Sequence, residues 1–379
     1  MSYRYKVTVL QHRLLHYRLG LFESLRKACA EKGIDLHLVH GQATRRELVK
    51  KDEGSLPWAH VVKNKFWEVG ERDWLWQPFP AELRDADLVV VMQENRILSN
   101  YPLLLSRFWS KRKVVYWGHG ANFQSDAPRG LREWWKQLML KRVDWWFAYT
   151  QMTVDLLQNA GYPAAQITCL DNAIDSSGFK ADLASWSDAE IAAEMARLGA
   201  NKDAPVGLYC GSLYADKKLE LLIQSADLIR QQIPNFTLLM IGDGPSMPQM
   251  REAAATRPWL HLLGVRKGRE KALYFRMADI MLNPGLVGLH IVDAFCSGLV
   301  MITTKTAKHS PEYAYLRDGV NGMAVDATPE AFSGAVLDII RNPVRLAQMQ
   351  QAALADSERY TLENMVKRFA DGIEAALRG

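Results

Sequence analysis

The stretch Leu282-Asn283-Pro284-Gly285-Leu286-Val287-Gly288-Leu289-His290-Ile291-Val292-Asp293-Ala294-Phe295-Cys296-Ser297-Gly298-Leu299-Val300-Met301-Ile302-Thr303, running on to His309-Ser310-Pro311-Glu312, decides the fold. It reads as a buried strand, a loop with Gly285 and Gly288, a helix beginning near Leu289, and a second strand at Val300–Thr303. A glycine loop that enters a helix presents backbone N–H groups and the positive end of a dipole, which is where an anion such as a phosphate sits.

The same alternation extends outward in both directions. Toward the N-terminus, short continuous apolar runs predict strands at Val206–Cys210, Thr237–Ile241, Leu260–Leu263 and Ile280–Asn283, with helices at Leu219–Gln231, Ser246–Ala255 and Arg269–Met277 between them. Toward the C-terminus follow a strand at Met323–Val325 and helices at Pro329–Arg341, Pro343–Ala355 and Leu362–Leu377. An earlier series has strands at Lys6–Leu10, Asp35–His40, Leu88–Met92, Val114–Trp117, Trp145–Tyr149 and Gln166–Leu170, and helices at Gly20–Glu31, Arg129–Arg142 and Thr153–Asn159. Lys51–Pro80, rich in Trp, Pro and charge, gives no clear pattern. Asn172-Ala173-Ile174-Asp175 closes the first series, and a polar segment, Asp182–Asp203, precedes the second. The expected architecture is α/β, with two doubly wound Rossmann-like domains over 1–175 and 176–361 and a central cleft at the C-terminal edges of their sheets.

A length of 379 residues suits two domains, and 48% hydrophobic with 23% charged residues is ordinary globular composition. Cys29, Cys169, Cys210 and Cys296 lie in or beside apolar segments without metal-ligand spacing, so they read as core residues in a reducing compartment. Met1–Gln11 does not resemble a signal peptide, and no apolar run is long enough to span a bilayer. The expected location is cytoplasmic. The net charge of +5 is uneven: residues 1–175 hold 25 Lys/Arg against 19 Asp/Glu, and ten of the twelve tryptophans. Arg107–Arg142 carries nine basic residues and two acids, interleaved with Trp109, Trp117, Trp134 and Trp135. Two readings stand: an anionic membrane surface, peripheral on the inner face of the plasma membrane, or a solvated basic face over core tryptophans. No motif for nucleic acid accompanies the charge.

Three strand-to-helix loops of the second series carry the candidate chemistry: Gly211–Lys218, Gly242-Asp243-Gly244-Pro245, and the loop of the opening stretch. Loops at one end of successive parallel strands converge on a crevice. A lysine there offers a point charge to a phosphate, and Asp293 can accept hydrogen bonds from ribose hydroxyls. In the first series, His12-Arg13-Leu14-Leu15-His16-Tyr17-Arg18 follows the first strand, and Glu94-Asn95-Arg96 follows the strand ending at Met92. These suit an acceptor bearing phosphate, or form an ordinary basic helix start with Arg13 and Arg18 in solvent. His119, in Trp117-Gly118-His119-Gly120, is a lone histidine after a strand.

In order along the chain, these motifs resemble those of a retaining GT-B glycosyltransferase of the family-four type. Asn172-Ala173-Ile174-Asp175 is similar to its interdomain junction. Gly211-Ser212-Leu213 with Lys217 and Leu219–Ile223 is similar to its Gly-Arg-Leu…Lys-Gly…Leu-Leu-Ile segment. Gly242-Asp243-Gly244-Pro245 stands for its Gly-x-Gly-Pro turn. Ala278-Asp279-Ile280 with Pro284, and Pro311-Glu312 followed by Asp318-Gly319-Val320-Asn321-Gly322, complete the set. The resemblance implies that the second domain binds a nucleotide diphosphate-sugar and the first a saccharide or lipid-linked saccharide acceptor, with the final helix, 362–379, packed back on the first domain. Lys217 would neutralise the diphosphate and His119 would face the donor sugar, the two acting as catalytic residues. Gly211, Ser212, Gly242, Arg266, Gly285, Gly288, Leu289, His290 and Asp293 would line the donor site, and His12, Arg13, His16, Arg18 and Glu94 the acceptor site. The nucleotide-sugar would be a substrate, with no cofactor or metal.

Two departures mark this sequence. The two glutamates of the family's signature align with Gly285 and Asp293, and its phosphate-binding arginine with Ser212. Arg266, Lys267 and His290 are candidate substitutes, or the transferred sugar lacks a hydroxyl that the missing glutamate would bind. The expected activity is retaining transfer of a sugar to a growing saccharide of a cell-surface polysaccharide such as lipopolysaccharide. An epimerase or phosphorylase of the same fold, and a non-catalytic nucleotide-sugar binding protein, are the alternatives.

Overall fold

The computed structural model describes residues 3–44, 47, 52–69, 72–120, 139–201 and 203–379. Of the helix expected over Arg129–Arg142, residues 129–138 lie outside the described residues, and Trp134, Trp135 and Lys136 with them. The chain forms two compact units, Met1–Asp175 with Leu362–Gly379, and Ser176–Thr361.

The first unit is built on strands β1 (Tyr5–Arg13), β2 (Ile34–Gly41), β3 (His60–Val61), β4 (Lys65–Val69), β5 (Arg72–Trp76), β6 (Leu88–Met92), β7 (Lys113–Gly118), β8 (Trp145–Ala148) and β9 (Ile167–Cys169). Seven of them make a sheet of order β3-β2-β1-β6-β7-β8-β9, all pairs parallel. Strand periodicity explains why the runs are apolar throughout. Val7, Val9, Leu88, Val90, Val115, Trp117 and Phe147 face the helices Leu19–Glu31 and Leu362–Arg378, where Met365, Phe369 and Ile373 are fully buried. Leu10, Val89, Val91, Val114, Tyr116 and Trp146 face the other way, into a second cluster with Leu103, Leu104 and Leu157. The unpatterned segment contains the antiparallel hairpin β4–β5, with Trp67 opposite Trp74.

The second unit has strands β10 (Val206–Cys210), β11 (Thr237–Ile241), β12 (Leu260–Gly264), β13 (Ile280–Leu282), β14 (Val300–Thr304) and β15 (Gly322–Val325), in a parallel sheet of order β12-β11-β10-β13-β14-β15. The polar segment before it is folded, which its composition hides. Helices Ser177–Ala184 and Asp188–Arg197 bring Phe179, Leu183, Trp186, Ile191 and Met195 onto the core, and Ser187 with Glu190 closes a capping box at the second.

Strand order fixes where each unit can hold a ligand. In the first sheet the order reverses between β1 and β6, and in the second between β10 and β13. Beyond the carboxyl ends of such a pair, the outgoing loops diverge to opposite faces and leave a crevice.

Candidate functional site

At the second unit's switch point the loops after β10 and β13 are Gly211–Lys218 and Asn283–Leu289. They touch through their backbones. The Leu286 N–H donates to the Asp216 carbonyl at 3.2 Å. A Cβ at Gly285 would lie 2.3 Å from the Asp216 oxygen and 2.3 Å from the Lys217 Cα, so no side chain fits. The missing signature glutamate therefore has a local cause: the space a side chain would need belongs to the 215–217 turn. The neighbouring loop after β11 is held in the same manner. Gly242, at φ +142°, would place a Cβ 1.9 Å from the Gly211 carbonyl, and Leu213 N–H donates to the Asp243 carbonyl at 2.9 Å.

Lys217 ends the 3-10 turn Ala215–Lys217 and is 5% exposed. Its Nζ donates to the Leu286 carbonyl at 2.6 Å, and no carboxylate among the described residues pairs with it. Burial pushes this ammonium down to about 8, with Cys210 and Asp216 opposing. Asn283 Nδ2 donates to the carbonyls of Gly285 (3.2 Å) and Leu286 (3.3 Å), and Thr304 Oγ1 donates to that of Pro284 (2.6 Å), so the loop is fixed before any ligand arrives. His309 accepts the Val287 N–H at Nδ1 (3.1 Å) and faces the Thr304 carbonyl through Nε2 (2.7 Å), which sets its tautomer as Nε2–H.

Gly288 and Leu289 lead into the seven-residue helix His290–Cys296. A Cβ at Gly288 would meet nothing closer than 3.8 Å, unlike Gly285. The Nε2 of His290 is shut from solvent without a hydrogen-bond partner. Burial, then Lys217 and Lys271, push this imidazole down to about 3, so it is neutral. Asp293 is buried and receives the Lys271 Nζ at 2.7 Å; burial raises its carboxyl and Lys271 opposes that shift. Ser212 is exposed, with its carbonyl accepting from the Tyr209 hydroxyl at 3.0 Å. Arg266, beyond β12, reaches Glu270 at 3.5 Å.

At the first unit's switch point, the end of β1 and the loops after β2 and β6 meet through charged side chains. Arg13, 8% exposed, binds Asp52 at 2.6 Å. His12 Nε2 lies 3.3 Å from Glu47 and Nδ1 3.8 Å from Glu94; Arg96 binds Glu94 at 2.7 Å and Glu47 at 3.0 Å. Four of the acceptor-side residues expected from sequence are therefore placed as follows: His12, Arg13 and Glu94 are engaged in this ring of charges, and His16 is exposed, with its Nδ1 3.2 Å from the Asp52 carbonyl.

Arg18 is different. It is buried, not in solvent, and its Nη1 and Nη2 donate to Gln11 Oε1 (3.1 Å) and the Tyr149 hydroxyl (2.5 Å). The guanidinium lies 4.4 Å over the Trp117 ring. His119 stacks on Tyr149 with ring centroids 4.1 Å apart. Its Nδ1 is shut from solvent and unbonded, and burial, then Arg18, push it down to about 4.

The opposite, N-terminal edge of the first sheet carries the basic aromatic surface. Phe108 and Trp109 are 76% and 74% exposed beside exposed Leu105, Lys111, Lys141 and Arg142. Phe108, Leu105, Lys111, Lys141 and Arg142 border a cavity of about 740 Å³. Arg107 is bound to Asp144, and Arg112 donates to the carbonyls of Ala86 and Arg84. Among the described residues, no helix is long and apolar enough to cross a membrane.

Sequence reasoning missed Lys271, Gln11 and Tyr149. Tyr149 and Gln11 stand at strand ends, where the switch-point rule gives a signal once strand order is known. Lys271 is one lysine on a helix with several charges, and nothing in the sequence marks it.

Residues 204–342 match the family described as Glycosyl transferases group 1. The chain is 24% identical over 189 residues to alpha-monoglucosyldiacylglycerol synthase of Acholeplasma laidlawii, covering 48% of this chain and 46% of that protein. It is 24% identical over 192 residues to lipopolysaccharide 1,2-N-acetylglucosaminetransferase of Salmonella typhimurium, covering 46% and 49%. The chain thus spans about half the length of these curated relatives. Among solved structures, Anabaena HepE in complex with UDP superposes with a TM-score of 0.68 at 15% identity, over 98% of this chain and 99% of that one. The fold is therefore GT-B, and within the second unit residues 204–342 match the group 1 glycosyl transferases.

Proposed function

We propose that the chain transfers a sugar from a nucleotide diphosphate-sugar, held at the switch point of the second unit, to a saccharide acceptor held by the first unit, with retention at the anomeric carbon. The observation that carries this reading is Lys217: a desolvated ammonium with no counter-charge among the described residues, at the switch point of a group 1 domain. A diphosphate supplies the missing charge. In the transition state the bond from the anomeric carbon to the phosphate oxygen breaks, and Lys217 stabilises the charge gathering on the leaving group. The acceptor hydroxyl attacks from the same face and gives its proton to that phosphate oxygen, so no protein nucleophile is needed. Gly288, Leu289 and His290 offer N–H groups, and Asp293 beside Lys271 meets the ribose. No side chain contacts the sugar from position 285, which suits a sugar lacking a hydroxyl there, such as a deoxyhexose.

The names of the relatives support an acceptor that is lipid-borne, such as a growing surface polysaccharide or lipopolysaccharide. The exposed aromatics and lysines of the N-terminal edge support peripheral contact with an anionic membrane from the cytoplasmic side. A thermal-shift panel of nucleotide-sugars tests the donor: one of them should raise the melting temperature, and Lys217→Ala should abolish the shift. No shift with any of them, or a shift that survives Lys217→Ala, contradicts the reading. The bare position 285 and Ser212 favour one other reading, nucleotide-sugar binding without turnover, which donor binding with no transfer in any acceptor screen would select.

A further inference from the structure

Three arginines gather at the switch point of the first unit, and two have carboxylate partners: Arg13 has Asp52, and Arg96 has Glu94 and Glu47. Arg18 has none among the described residues. It is only 7% exposed, and every group it touches among the described residues is neutral: the Gln11 carboxamide, the Tyr149 and Tyr17 hydroxyls, and the ring faces of Trp117, Tyr149 and Tyr17. A buried charge without a counter-charge is a costly feature for a fold to keep. Of the five N–H donors of a guanidinium, the Gln11, Tyr149 and Tyr17 oxygens leave at least two unengaged among the described residues.

His119 shares the same tyrosine. Arg18 bonds the hydroxyl of Tyr149, and the imidazole lies on its ring with Nδ1 shut from solvent and unbonded. Being neutral, this ring holds a proton on one nitrogen and can donate it to an oxygen. The acids near the pair are engaged elsewhere: Glu94, whose field reaches His119, is bound by Arg96. The helix that begins after Arg18, Leu19–Glu31, has no acid in its first turn. Among the described residues, the vicinity thus offers donors and positive charge without a counter-charge for Arg18.

We propose that Arg18 and His119 form an anion site in the first unit, and that the acceptor places a phosphate ester in it. A phosphate ester presents several oxygens, enough to take the guanidinium and the imidazole together, and Arg is well matched to its geometry. The inference rests on the reading of the first unit as the holder of the acceptor.

The test is a titration of the full chain with glycerol 3-phosphate, followed by the ring resonances of His119, which are identified by their loss in His119→Gln. UDP is present at saturation throughout, and its affinity is measured separately. The expected result is a saturable movement of the His119 signals with a rise in its pKa. Arg18→Gln should weaken the ester at least about tenfold and leave UDP affinity unchanged, while Arg18→Lys retains part of the binding. A His119 signal that does not respond in the unsubstituted chain overturns the proposal whatever the variants do. So does a response that survives Arg18→Gln in a variant with an unchanged melting curve. A second arm replaces the free ester with phosphatidylcholine vesicles containing phosphatidic acid. Arg18-dependent binding to the vesicles assigns the phosphate to a lipid-borne acceptor; Arg18-dependent binding of the free ester alone assigns it to a soluble one. A chain that binds the ester but not UDP keeps this site and loses the donor reading, so the two fail separately.

Discussion

At the switch point of the second unit, loops meet backbone against backbone, with Gly242 against the Gly211 carbonyl and Gly285 against the 216–217 turn. At that of the first unit, backbone contacts such as His16 N–H to the Asp52 carbonyl are joined by ion pairs, Arg13–Asp52 and the His12–Glu47–Arg96–Glu94 ring. The difference decides what is left for a ligand. Backbone contacts consume no charge, so Lys217 has no paired carboxylate among the described residues of the second unit. Ion pairs consume charges, so in the first unit most basic groups are already neutralised and Arg18 stands apart.

Restoring the signature glutamate is the harshest way to break this comparison. Gly285→Glu should force the two loops apart, lowering unfolding free energy by at least about 3 kcal/mol and abolishing UDP binding, as read by urea denaturation and calorimetry. A stable variant that binds UDP would mean the loops can separate freely. Lys217→Met should act on function alone. It should lower kcat/KM by about 100-fold or more, with stability unchanged or higher, because a desolvated charge has been removed. The pH dependence follows from the same residue. Its folded pKa, about 8, lies below the unfolded value of ~10.4, so the unfolded chain holds more protons between them and the apo chain's stability rises with pH across that window. Donor affinity should fall as pH rises through about 8, and Lys217→Met should erase that limb of the profile.

In the first unit, Asp52→Asn leaves the buried Arg13 with a neutral partner. It should cost about 1–3 kcal/mol in denaturation and spare UDP binding. Loss of UDP binding would show that the two switch points are coupled. The smallest effect is expected far from both. Lys111→Ala and Lys141→Ala should each weaken flotation with phosphatidylglycerol vesicles by about 1 kcal/mol, without a change in melting temperature. Flotation that ignores both substitutions would return these residues to a solvated face.

The comparison also explains what could be seen in the sequence. Glycines that permit backbone contact leave marks at fixed places after strands, so Gly211, Gly242 and Lys217 were legible together. Gly285 was legible only as an absence, because the group that fills its space is the backbone of residues remote in sequence. The pairs of the first unit left no mark: Arg13 and Asp52, or Arg96 and Glu47, lie 39 and 49 residues apart, and nothing local links them. Strands covered on both faces were plain from their apolar runs. The helices within 177–197 were hidden because their apolar anchors, such as Phe179, Leu183, Ile191 and Met195, are few and scattered.

The helix Leu362–Arg378 follows the whole second unit in the chain yet supplies Met365, Phe369 and Ile373 to the core of the first. During synthesis from the N-terminus, the second unit is complete in one continuous segment while the first still lacks a wall. The first unit must wait, with Val7, Val90, Trp117 and Phe147 lacking that cover, until residues beyond 361 emerge. Folding order in this protein should therefore run against chain order, and a chain cut at Thr361 should lose its N-terminal unit rather than its C-terminal one.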